Sequence, residues 1–546
     1  MTGLQAEGLT VRGKTLLSRI DPKGRAEKIT AGLVPKEKTL YFCPSALYGF
    51  GLSLLLKKIH SNSAVLCVEA DDDLYELSRM EMKSLIEEAK GALVLARTNG
   101  NDAAGFVCGL VQNKWGMRYF RRMEVLRLTG GWQLFPELYE NISAALQKDI
   151  AISWGNAMTL IKLGRLYIKN AVKNLVQPAD QTCGAAPDFA DDPLLVLGAG
   201  PSLDIILDAL AKRFGNQMEN ARDRPFRIVC ADTCLPSLHD RGVTPDLAVI
   251  LECQHWNLRD FRGAAGWGIP AAIDLSALPA SARVLGGKNF LYMTPWTELR
   301  LFDRLQKAGL LPPPLTPLGS VGLSAVELAL KLGKGPVITG GMDFSFSVDA
   351  YHARSTPGHK TRLETQNRFR TPVNAEAAFR DGVFVTVSKT GEPVRSDPSL
   401  RKYCELFNSE FGSVARLSDI YGPGLNLGTK ILSVEQALEL LAGKNKPHAA
   451  GNNSILERTD RLAKTAEFVM QEKNRLLRLR AILTGQMGED GELEKILDEC
   501  DYIWAHFPEC AGAGGRRPDT GDLSFLKRVR TETDPFIKLW ELAERR

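Results

Sequence analysis

Six short apolar runs, at residues 194–197, 227–230, 247–251, 271–273, 290–293 and 337–339, recur through the middle of this chain with helical spacing between them. Runs of that length without polar alternation suit strands buried on both faces, and buried strands joined by helices form a mostly parallel sheet. The pattern predicts a central Rossmann-like α/β domain over about 191–443. A second unit of the same kind is expected before it. The run 39–43, the loop 44–51, a helical stretch and the run 64–68 ending in Glu69 follow the order of a nucleotide-binding βαβ unit. Glu69 then stands where such folds hold a ribose. Pro44 and Ser45, however, occupy the place of the first glycines, so a Rossmann-like scaffold without cofactor is the other reading.

At 546 residues the chain is too long for one ordinary domain. Residues 177–192 lose all periodicity and mark a linker, and 443–453 mark a second break. The expected division is an N-terminal Rossmann-like domain over 1–178, the central domain over 191–443, and a C-terminal helical domain over 452–546. In the last of these, Arg475, Arg478 and Arg480 offer a basic face or simply a solvated one. With 69 basic and 64 acidic residues the net charge is only +5, which gives no whole-chain argument for a nucleic-acid partner. The ten cysteines are scattered. The closest pair, Cys230 and Cys234, lacks a second pair at ligand spacing, so no metal site is expected and the thiols read as free in a reducing compartment. Residues 1–17 lack the apolar core of a secretory signal, and the longest apolar run, about 46–56, is too short for a membrane span. The expected location is the cytoplasm.

The chemistry concentrates at run ends. Behind 194–197 comes Gly198-Ala199-Gly200-Pro201-Ser202-Leu203-Asp204, a strand turning through glycines into a helix. Glycine allows close approach of an anion, and a helix start near Ser202 would direct free amides and a positive dipole end at it. Pro201 suits a first helical turn. A tight turn without a ligand is the alternative. A second small-residue loop, Gly319-Ser320-Val321-Gly322, opens a helix to Leu332, and the run 337–339 ends in Gly340-Gly341-Met342-Asp343-Phe344-Ser345. Asp343 thus sits at the carboxyl edge of the sheet, where open α/β folds collect ligands, or it serves as a turn or N-cap partner. Tyr351, His352, Arg354, His359, Lys360 and Arg362 follow as a dense set of donors able to grip an acidic substrate. Asp232 with Thr233, Asp246 and Glu252 add carboxylates near strand ends that suit a base or a metal; Asp246, after Pro245, also reads as a turn residue.

These motifs together resemble the domain shared by archaeal 6-hydroxymethylpterin diphosphokinases and bacterial motility accessory factors. The opening Leu16-Leu17-Ser18-Arg19-Ile20-Asp21-Pro22 and the strand end Val68-Glu69-Ala70 resemble the N-terminal domain of the accessory factors. That resemblance implies transfer of a nonulosonic acid from its CMP-activated form to serine or threonine of flagellin. Bacterial sialyltransferases carry similar motifs at Gly198 to Leu203 and at Ser320 to Phe344. In that picture the amides around Gly200 and Ser202 hold the CMP phosphate, Ser320, Val321 and Gly322 face sugar and cytidine, and Asp343 and Tyr351 lie near the donor, with Gly198, Pro201, Asp232, Thr233, Glu252, Gly319 and Gly341 also expected to bind substrate. No metal or cofactor is required, because backbone or tyrosine donors can stabilise a single departing phosphate. The sialyltransferases resembled have a histidine shortly before the helix matching 399–410, whereas this chain has Arg395-Ser396-Asp397. His352, His359 and Asp343 remain as candidate bases. The rival readings are an ATP-using pterin diphosphokinase with Mg²⁺ on Asp232, Asp246 and Asp343, and an inactive flagellin-binding protein.

Overall fold

A computed structural model describes residues 9–100, 102–177, 187–370, 375–443, 455–486, 488–507 and 520–545. Most of the linker expected at 177–192 and of the break at 443–453 lies outside the described residues. By its internal contacts the chain forms two compact units: residues 1–165 with 489–498 and 503–531, and residues 166–488 with 499–502 and 532–546.

In the first unit four parallel strands run in the order Leu93–Arg97, Ala64–Glu69, Thr39–Pro44, Arg122–Val125. The two central strands are buried at every residue, which is why both read as unbroken apolar runs. Val107, Val111 and Tyr139 cover one face and Leu52, Leu55 and Met82 the other. Glu69 is fully buried. Its Oε1 accepts from the Leu47 amide at 3.0 Å and the Ser78 hydroxyl at 2.9 Å, and burial lifts its pKa to about 7. The carboxyl group thereby anchors the loop after the first strand instead of facing a ribose.

The second unit is built on eight strands, every neighbouring pair parallel. Their spatial order is Gly286–Tyr292, Ile269–Asp274, Leu247–Ile250, Arg227–Ala231, Leu194–Leu197, Val337–Gly340, Leu417–Ile420, Lys430–Leu432. The chain starts mid-sheet, steps outward to Tyr292, then returns to place Val337–Gly340 on the other side of Leu194–Leu197. This reversal is a topological switch point, and its carboxyl edge is where such sheets open a crevice. The helix Val321–Leu332 packs on the sheet and is buried from Gly322 through Ala329, so it is a core helix as much as an amphipathic one. Two strands that the apolar pattern misses, Leu417–Ile420 and Lys430–Leu432, complete the edge. A two-stranded antiparallel ribbon, Phe384–Val387 with Pro393–Ser396, joins the sheet edge region by a bridge between Phe346 and Arg395.

The helical tail does not present the three arginines as a free basic face. Arg475 pairs with Glu472 at 2.6 Å and Glu499 at 2.7 Å, and Arg480 lies 3.4 Å from Asp534. Glu472, almost wholly buried, also holds Arg304 at 2.6 Å. Among the described residues no helix is long and apolar enough to cross a membrane.

Candidate functional site

At the switch point the loops behind Leu194–Leu197 and Val337–Gly340 are laced together. The amide of Gly198 donates to the Gly340 carbonyl and that of Gly200 to the Gly341 carbonyl, both at 2.8 Å. Asp343 then closes the joint: its Oδ2 accepts from the Ser202 amide at 2.7 Å and its Oδ1 from the Ser202 hydroxyl at 2.6 Å. Ser202 begins the helix Leu203–Phe214, so the anion expected at this helix start is supplied by the chain's own carboxylate. The glycines serve this closure. A Cβ on Gly200 would lie 2.5 Å from Asp343 Oδ2, one on Gly198 2.6 Å from the Gly341 carbonyl oxygen, and one on Gly341, where φ is +72°, 2.1 Å from the Gly198 carbonyl oxygen.

The phosphate role expected for the Gly200 and Ser202 amides is therefore corrected, because both already have partners within the chain. Pro201 has no amide to offer. Asp343 itself is buried, with both oxygens engaged; burial raises its pKa, while the Ser202 bonds and the Lys389 ammonium oppose the rise. It behaves as a cap, the alternative left open by the sequence.

The serine loop does reach the same edge. Met342 fills the space between the two glycine loops: its Sδ lies 2.8 Å from where a Cβ would project on Gly198 and equally on Gly322. Ser320 opens the helix Val321–Leu332 without capping it, so its half-buried hydroxyl is not consumed by its own helix. Gly319 has φ +72° and faces Tyr403. Next to Asp343, Phe344 holds φ +47°, a left-handed conformation that costs a bulky side chain roughly 1–3 kcal/mol. The Ser396 hydroxyl donates to its carbonyl at 2.9 Å and helps to hold it there.

A third strand of chain crosses the first glycine loop. The Ala199 carbonyl accepts from the Ala353 amide at 3.0 Å and lies 3.3 Å from His352 Nδ1, while the Arg354 amide donates to Asp204 at 3.0 Å. A carbonyl partner requires the proton on Nδ1, which leaves the His352 Nε2 lone pair available. Burial, reinforced by the Arg362 charge, pushes the His352 pKa down to about 4, so the ring is neutral at pH 7. His359 is arranged oppositely. Its Nδ1 accepts from the Ser355 amide at 3.1 Å, placing the neutral ring's proton on Nε2. Among the described residues, His352 alone of the three candidate bases keeps an unused basic atom in the tautomer its partner selects. The Tyr351 ring packs 4.7 Å from His352 and 4.6 Å from Phe346, and Arg380 lies over it while pairing with Asp397. Asp397 also caps the helix Pro398–Phe411 through the Ser399 and Leu400 amides, both at 2.9 Å, so the place of the missing histidine is taken by a cap.

Asp232 and its neighbours adjoin this edge, since Cys234 Sγ contacts the Leu197 carbonyl at 3.3 Å and the Ser237 hydroxyl donates to the Arg354 carbonyl. Asp232 is buried, accepting from the Thr233 amide at 2.9 Å and from Asn257 Nδ2 at 2.7 Å. Burial first, then the Asp260 carboxylate, raises its pKa, and Asp260 is raised by burial as well. Glu252 is exposed, with Oε1 on the Gln254 amide at 2.9 Å. Asn257 and Asp260 were not visible as site residues in the sequence; their signal is the polar stretch immediately after the strand Leu247–Ile250. Asp246 does not belong here. It precedes that strand, at the opposite edge of the sheet, and is held by Arg224, by Arg227 at 3.1 Å and by the Ile228 amide at 2.7 Å. The set Asp232, Asp246 and Asp343 therefore cannot share one ion.

Comparison with known proteins starts from the same segment. Residues 166–349 match the family model described as 6-hydroxymethylpterin diphosphokinase MptE-like. An uncharacterized protein of Treponema pallidum (strain Nichols) is 28% identical over 557 residues, covering 97% of this chain and 93% of that protein. The structure of MAf glycosyltransferase from Magnetospirillum magneticum AMB-1 aligns with a TM-score of 0.53 at 14% identity, over 99% of this chain and 83% of that one. The chain thus shares the Rossmann-like α/β fold of that structure, and its residues 166–349 are similar to the MptE-like family.

Proposed function

We propose that this protein is a cytoplasmic glycosyltransferase that moves a nonulosonic acid from a CMP-activated donor to serine or threonine of flagellin. The observation that carries the reading is the convergence of the Gly198, Ser320 and Asp343 loops on one carboxyl edge at the switch point, in a fold shared with a MAf glycosyltransferase. The donor lies in that crevice. Ser320, Val321 and Gly322 face its sugar and cytidine, and Asp232 and Thr233 line the neighbouring strand end. Because the Gly200 and Ser202 amides are engaged, the donor phosphate faces Tyr351 and Arg380, whose hydroxyl and guanidinium lie 3.5 Å apart.

His352 accepts the acceptor hydroxyl proton at Nε2 as the oxygen bonds to the anomeric carbon. The bond from that carbon to the phosphate oxygen breaks, and CMP leaves with the electron pair. A side chain with a pKa of about 4 is a weak base, so it serves chiefly to orient the hydroxyl and take its proton late. Incubation with a CMP-activated nonulosonic acid and flagellin is expected to add the mass of the sugar to flagellin, to lose that product in His352→Gln and Ser320→Ala, and to persist in EDTA. Modification that survives both substitutions would remove the site from contention. One observation favours an inactive flagellin-binding protein, namely Asp397 as a cap where the resembled sialyltransferases have histidine. If that reading held, CMP would leave the melting temperature unchanged.

A further inference from the structure

We propose that the first unit contains a second ligand site, for a monosaccharide-sized acidic sugar, independent of the transferase reading of the second unit. Its strand order, Leu93–Arg97, Ala64–Glu69, Thr39–Pro44, Arg122–Val125, reverses between the third and fourth of these strands, giving this small sheet its own switch point. A cavity of about 150 Å³ opens there, touching Phe42 and Pro44 on one strand and Val125 on the other. That volume falls below the roughly 300–1,000 Å³ of drug-sized ligand sites, so its occupant is small.

The lining has a definite chemistry. Trp132 and Tyr139 supply aromatic surface, and Arg127, Glu140 and Gln147 supply polar groups. The Arg127 guanidinium stands 4.3 Å over the Trp132 ring, and among the described residues neither it nor Glu140 makes an ion pair. A stacked guanidinium with a free edge suits a carboxylate, which it can grip through two parallel bonds. Glu140 and Gln147 suit hydroxyl groups, and the aromatic rings suit the C–H face of a sugar ring. The entry end of the long helix Pro136–Leu175 borders the same space and adds a positive dipole end.

The loop chemistry argues against a nucleotide. Behind the first strand the Ser45 amide is bonded to the Val68 carbonyl at 2.9 Å and the Leu47 amide to Glu69 at 3.0 Å, so these loop amides form no phosphate cradle. Both residues hold left-handed backbones, φ +57° and +51°, a strain that this pinning sustains.

The test is ligand-observed NMR and calorimetry on the full chain, with N-acetylneuraminic acid, its methyl ester and CMP as probes. Arg127→Met and Trp132→Leu alter partly or fully exposed side chains, and thermal melts confirm that both variants fold. The expected result is binding of the acid that weakens at least tenfold in each variant and at least tenfold for the methyl ester. Acid binding unchanged by both substitutions overturns the site. Equal binding of the ester, or Arg127-dependent binding of CMP in place of the acid, overturns the ligand class.

Discussion

Removing the Asp343 carboxylate and adding a single carbon at Gly200 attack the same joint from opposite sides, and together they measure it. Asp343→Ala deletes two bonds to Ser202, at 2.7 and 2.6 Å, and strands a buried amide and hydroxyl. Bonds to a charged acceptor contribute roughly 1.5–3 kcal/mol each, offset in part by no longer burying a carboxylate whose pKa burial raises. The net expected loss is about 2–4 kcal/mol. Gly200→Ala puts a Cβ 2.5 Å from Asp343 Oδ2 and 2.7 Å from the Gly341 carbonyl oxygen. Displacing the carboxylate costs one of its bonds to Ser202, and overpacking adds roughly 1–3 kcal/mol, for about 3–5 kcal/mol in all. In the double variant the carboxylate is absent, so only the clash with the carbonyl remains. The two losses then sum to more than the double variant shows, by about 1–2 kcal/mol. Urea unfolding of the four proteins, followed through the transition that includes the eight-stranded sheet, reads the coupling. Losses that add to within about 0.5 kcal/mol would refute the shared contact.

Three further outcomes follow from buried charge. Asp232 has a folded pKa raised above its ordinary value, so the unfolded chain releases a proton that the fold retains, and stability falls as pH rises above about 4. Asp232→Asn needs no proton, so its melting temperature should gain on the parent's steadily from pH 5 to 8; a constant gap would contradict this. His352 works in the other direction: with a folded pKa of about 4 against an ordinary 6.5, its contribution is complete above pH 6.5 and is lost as pH falls toward 4, by at most about 3 kcal/mol at about 1.4 kcal/mol per pH unit. His352→Gln should flatten the acid limb of a stability profile, and an unchanged limb would exclude a buried neutral imidazole. Lys389 pairs with Asp419, both almost wholly buried, and Thr339 donates to the same carboxylate at 2.9 Å. Lys389→Met should cost roughly 3–5 kcal/mol by stranding that charge, and Asp419→Asn should recover much of the loss in the double variant.

The same pair explains part of what sequence reading missed. Strands buried on both faces announce themselves when every residue is apolar, as at 194–197 and 247–250. Leu417–Ile420 carries Ser418 and Asp419 in its middle, and its polar core is satisfied by Lys389 and Thr339, thirty and eighty residues away in the chain. Local pattern cannot reveal such partners. The glycine loop shows the complementary failure. Its strand–turn–helix form was legible, and so was the interest of Asp343, but the two were assigned separate roles because the bond joining them spans 141 residues. Asp246 was open to two readings, a strand-end carboxylate or a turn residue after Pro245, and its place just before a strand, at the amino edge, decides for the turn.

The proposed donor site is confined to one edge of the larger sheet. Hydrogen–deuterium exchange of the full chain with and without saturating CMP tests it most directly. Protection is expected in the peptides covering 198–204, 319–322 and 341–354; protection elsewhere in the chain with these segments unchanged would contradict it.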